Sequence, residues 1–60
     1  MSEQEMRILD DIRISTHVVL NRIMEIENRA LDLPPDYRRA IEAICLCTRS
    51  DMTFLQEILK

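Results

Sequence analysis

The sequence predicts an all-α chain: an antiparallel two-helix hairpin, able to pair with a second copy as a four-helix bundle. Three observations lead there. The chain has 60 residues, no glycine and only two prolines, adjacent at Pro34 and Pro35. The stretches on either side are of similar length and free of other breakers. Each carries apolar residues at alternating three- and four-residue spacing, the period of helix-on-helix packing.

The first helix is predicted over about residues 3–31. Ser2 can cap its N-terminus, and Glu5, three residues on, can close a capping box. A seam follows through Leu9, Ile12, Thr16, Val19, Ile23, Ile26 and Ala30. A second stripe, Leu20, Met24 and Leu31, widens the apolar face toward the turn, and Ile8 and Ile14 lie off the seam. The turn is predicted at about residues 32–35. Proline lacks the backbone N–H and clashes with the preceding turn, so the first helix must end here. The same residue is well suited to the first turn of a new helix. The second helix is predicted over about residues 35–59, with Asp36 favourable in its first turn. Its seam runs through Tyr37, Ile41, either Ile44 or Cys45, Thr48, Met52, Leu55 and Leu59. Ala40, Ala43 and Cys47 are small enough to permit close approach.

Composition narrows the function. Hydrophobic residues make up 47% of the chain, more than one intramolecular seam consumes. A single domain of this size has a marginal core. The surplus stripe of Leu20, Met24 and Leu31 with Ile41 and Ile44 predicts self-association into a homodimer. The net charge of −3 argues against direct nucleic-acid binding, which calls for a basic face. No apolar run is long enough to span a membrane, and the expected location is the cytoplasm.

Catalytic chemistry finds little support. A glycine-free chain has no phosphate-cradling loop, and Glu25 and Glu27 do not share a face. His17 is expected to be a flanking or partly buried structural residue, not a phosphoacceptor. Cys45 and Cys47, two residues apart on a helix, point in different directions and cannot readily share an ion or a disulfide. They are expected to act as buried, reduced, small apolar side chains. No enzyme activity, cofactor or metal is expected. Asp51 lies near the second seam and could meet an arginine across an interface.

The segment Leu33-Pro34-Pro35-Asp36-Tyr37 resembles the L-P-x-x-Y turn of the TraM-type quorum-sensing antiactivators, a group that includes the similar QseM proteins. Ile41-Glu42-Ala43 followed by Met52, Leu55, Ile58 and Leu59 is similar to the second helix of that family, and Asp11-Ile12-Arg13 with His17 to the start of its first. The resemblance implies a helical, dimeric protein that binds a transcriptional activator directly and prevents it from switching on quorum-sensing or conjugative-transfer genes. The contact surface expected for such capture is Tyr37 near the turn with Phe54, Leu55 and Ile58 toward the C-terminus. A co-chaperone or assembly subunit is the main alternative, and an RNA-binding hairpin of the Rop kind a further one.

Overall fold

A computed structural model describes all 60 residues. Two α-helices, α1 (Glu3–Ala30) and α2 (Pro35–Ile58), pack against each other as a hairpin, with no strand. At 1.5 Å per residue, their 28 and 24 residues make rods about 40 Å long. The hairpin is a flat slab, with Cα extents of 50 × 16 × 11 Å.

Local chemistry starts and stops each helix. Ser2 is extended, and its Oγ accepts a hydrogen bond from the Glu5 N–H at 3.1 Å. This satisfies one of the donors that a helix start leaves free. Glu3 and Glu5 place negative charge at the positive end of the helix dipole. The return bond from the Glu5 side chain is not made, so the capping box is half formed.

The turn solves a specific problem. Many helices end on a left-handed residue, usually glycine. This chain has no glycine, and no residue adopts positive φ. Instead Leu31 stays right-handed, and α1 tightens into i→i+3 bonds. Asp32 N–H donates to Arg29 O at 3.2 Å, and Leu33 N–H to Ala30 O at 3.1 Å. Pro34 then holds extended geometry and caps α2, its carbonyl accepting from Arg38 N–H at 3.1 Å. Pro35 occupies the first helical position, where a missing N–H costs nothing.

The far end is tied as well. The last turn of α2 contains no basic residue. Arg13 of α1 supplies the charge from across the hairpin: its Nε and one terminal nitrogen both donate to the Leu59 carbonyl, the former at 3.2 Å. A guanidinium on the last carbonyls complements the negative end of α2.

Between these ends runs a thin core. Only Thr16, Ile23, Ala30 and Cys45 are buried. Leu9 and Leu20 on α1, and Ile41, Thr48, Met52, Leu55 and Leu59 on α2, are half-buried around them. Thr16 brings a hydroxyl into this line. It donates to the Arg13 carbonyl at 2.7 Å and accepts from Gln56 Nε2 at 3.5 Å.

The seam departs from the heptad expectation at several points. Ile26, expected in the seam, is 49% exposed. The inward place belongs to half-buried Glu27, whose carboxylate pairs with Arg49 of α2. Val19 and Ile26, like Leu20 and Glu27, flank the Thr16–Ile23–Ala30 line. The helices lean toward the Leu20–Glu27 flank, where Arg49 reaches across to Glu27. Tyr37 is 66% exposed, and Arg38 takes the inward position, being one heptad before Cys45. Cys45 rather than Ile44 fills the centre. Cys47, expected to be buried, is exposed, because residues two apart on a helix cannot both face α1. His17 is exposed, one residue round from the seam.

Candidate protein-binding surface

The two broad sides of the hairpin differ in chemistry. One side carries a shallow groove lined by Met24, Glu25, Glu27, Asn28, Leu31, Glu42 and Arg49. Charge dominates it. Arg49 pairs with Glu27 across the helices, Arg38 with Glu42 at 3.9 Å, and Arg22 with Glu25 at 3.2 Å on its edge.

The opposite side is apolar. Ile12, Ser15, Thr16 and Val19 of α1 line a groove with Met52 and Leu55 of α2. Helical spacing extends this side along both rods. On α1, Ile8, Ile12, Ser15, Val19, Arg22 and Ile26 recur at four- and three-residue intervals, so they share one flank. On α2, Tyr37, Ile44, Thr48, Asp51, Leu55 and Ile58 make the matching flank, with Asp51 its one charged member. Ile8, Ile12, Val19, Ile26, Tyr37, Ile44 and Ile58 all rank among the exposed large hydrophobic residues. Apolar surface of this length, interrupted only by Arg22 and Asp51 among charged residues, is what interaction surfaces on small proteins present.

The four residues expected to capture a partner do not form one patch. Tyr37 and Ile58 (63% exposed) sit at opposite ends of the apolar side, with Leu55 half-buried between them. Phe54, 68% exposed, faces away from that side. It borders a separate groove with Leu46, Arg49, Ser50, Thr53 and Glu57. The Leu20–Met24–Leu31 stripe is likewise not joined to Ile44. Met24 and Leu31 border the charged groove, whereas Ile44 lies on the apolar flank. Ile8, Ile12, Val19 and Ile26 were the residues to add. Their four-three spacing with Ser15 and Arg22 marks them as one stripe.

No group of three or more His, Cys, Asp or Glu side chains is placed to hold a metal. Cys45 and Cys47 are unpaired, and every buried side-chain polar atom has a hydrogen-bond partner. No helix is long and apolar enough to cross a membrane. Comparison with family models, curated proteins and solved structures finds no match.

Proposed function

We propose that this chain acts by occupancy: as a homodimeric hairpin, it binds a transcriptional activator in the cytoplasm and holds it out of action. The observation that carries the binding role is the exposed apolar side, spread over both helices, together with the exposed Leu46 and Phe54 of the separate groove on α2. A hairpin with so few buried residues leaves most of its apolar surface for association. The choice of an activator as partner rests on the resemblance at Leu33–Tyr37 and along α2. The acidic balance suits a basic DNA-binding partner electrostatically.

Charge placement favours protein over RNA as the partner. Of eight Lys and Arg side chains, Arg7, Arg13, Arg22, Arg38, Arg49 and Lys60 already pair with carboxylates. Only Arg29 and Arg39, near the turn, lie outside such pairs. That leaves no extended basic face to displace counterions from phosphate.

The test is co-expression with each activator encoded near the gene, read by an activator-driven reporter, with co-purification of the pair. Loss of reporter signal together with a stable complex supports capture. Reporters that all ignore the protein overturn it, and a co-purifying export or assembly substrate would establish the assembly-subunit role instead.

A further inference from the structure

The apolar side leaves open what covers it, and its own pattern answers. We propose that a second copy of this chain covers it face to face, with the two turns at opposite ends of the assembly. This rests on the self-association named above and specifies its geometry.

The size fits. A slab 50 Å by 16 Å presents roughly 800 Å² on its broad side, the area each partner contributes to a standard stable interface.

The decisive observation is self-complementarity about one two-fold axis. Full overlap of two hairpins with opposed turns puts the axis beside His17, midway along α1. α1 then runs antiparallel to α1 of the second copy. Ile8 and Ile26 lie nine residues either side of His17, so each meets the other across the axis. Asp11 and Arg22, six and five residues either side, meet at the rim as opposite charges. The axis repeats both contacts, giving two ion pairs and two isoleucine contacts from α1 alone.

α2 obeys the same axis without adjustment. Leu9 shares a groove with Leu59, and Thr16 with Met52. The level of His17 therefore corresponds to Asp51 on α2. Ile44 and Ile58 lie seven residues either side of Asp51, so each faces the other on the second copy.

The other two-fold arrangement, with both turns at one end, fails on charge. There α1 lies against α2 of the second copy at the same level. By the same correspondence of levels, Asp11 would lie beside Glu57 and Ile58, and Arg22 between Ile44 and Thr48, so neither charge would meet its opposite. Like or absent charge across a rim disfavours a mode of association. In this hairpin alone Asp11 has no cationic partner, and Arg22 holds only the exposed Glu25 at 3.2 Å. Asp11 is free to pair across the interface, and Arg22 can exchange its exposed partner Glu25 for it. The arrangement has two internal opponents: two Asp51 carboxylates face each other near the axis, and Arg22 stands level with Ile12, each five residues from His17.

Three measurements test the geometry. The first is sedimentation equilibrium of the unmodified chain. A dimer is expected, and a monomer throughout the micromolar range overturns the proposal. The second is a spin-label distance between turns, using Asp32→Cys with Cys45→Ala and Cys47→Ser, after circular dichroism confirms unchanged helicity. Opposed turns give a separation near the 50 Å length of the hairpin, and one close to its 16 Å width overturns the proposal. The third is charge exchange in the chain with its cysteines intact. Asp11→Arg or Arg22→Asp alone should weaken self-association about tenfold, because each turns two attractions into two repulsions. The double exchange should restore it, and Asp51→Asn should tighten it. Failure of the double exchange to rescue overturns the pairing. A dimer that passes all three but leaves every reporter untouched sinks activator capture and leaves this geometry standing.

Discussion

Ile23 and Ile26 share the apolar half of α1, three residues apart, yet the structure gives them different work. Ile23 is 4% exposed, at the centre of the hairpin contact. Replacing it with alanine removes buried carbon where the neighbouring helix cannot fully close the gap, a change that costs about 2–5 kcal/mol. A 60-residue domain has only about 3–9 kcal/mol in total, at roughly 0.05–0.15 kcal/mol per residue. At mid-range values Ile23→Ala should therefore remove about half of the stability and lower the urea midpoint of the helical signal accordingly. Ile26 is 49% exposed and makes no central contact. In a dilute, monomeric sample Ile26→Ala should cost less than about 1 kcal/mol, partly offset by the better helix propensity of alanine. Urea titrations followed by circular dichroism over a range of protein concentrations separate the two. The Ile23 loss should persist at every concentration. The Ile26 loss should emerge only as the chain associates, because stability that depends on a second copy depends on protomer concentration. Equal losses in the dilute sample would refute the register described here and restore Ile26 to the seam.

Other outcomes follow from single contacts. Ser2→Ala removes the only side-chain cap of α1 and should cost about 1 kcal/mol, seen as fraying of the first turn in amide exchange. Arg13→Ala unties α2 from α1 at Leu59 and should raise exchange in the last turn of α2, with a stability loss of about 1 kcal/mol. A double-mutant cycle on Glu27 and Arg49 should return a coupling below about 1 kcal/mol, because both side chains remain partly solvated. Phe54→Ala should leave helicity and sedimentation unchanged while weakening capture of the activator, since Phe54 supports neither the hairpin core nor the apolar side; unfolding would place it in the core instead.

The hairpin was legible in the sequence because its strongest signals are local. Pro34-Pro35 in a glycine-free chain fixes one break, and Ser2 with Glu5 fixes a start. Both act through their own backbone, so no distant contact can override them. The flanks of the seam were less legible. Thr16, Ile23 and Ala30 lie on its axis by spacing alone, but Val19–Ile26 and Leu20–Glu27 flank that axis almost evenly. Hydrophobicity favours the first pair. The structure leans to the second, where Arg49, 22 residues away on the other helix, meets Glu27. The same ambiguity hid the interaction surface. Residues such as Ile8 and Ile26 cannot be sorted into core or outer face until the lean of the helices is known. Cys45 and Cys47 show the reverse: helix geometry already required that only one face inward, and Cys45 does.

The thin core and the open apolar side are two consequences of one allocation. A two-helix chain can bury a single stripe per helix, and this one spends part of that stripe on polar groups. Thr16 and Gln56 meet within it, and Glu27 and Arg49 close one edge. Polar groups in the seam contribute less than aliphatic ones but are satisfied in one register only, so they specify how α1 lies on α2. Isoleucine and valine are thereby displaced to the outer flank at Ile8, Ile12, Val19 and Ile26, where only another molecule can bury them. Binding that covers this side adds stability to the folded form alone. Association and folding are then coupled: whatever occupies the apolar side should raise the unfolding midpoint in proportion to its concentration and affinity. A midpoint that stays fixed as protein concentration rises would show that the proposed second copy does not cover this side.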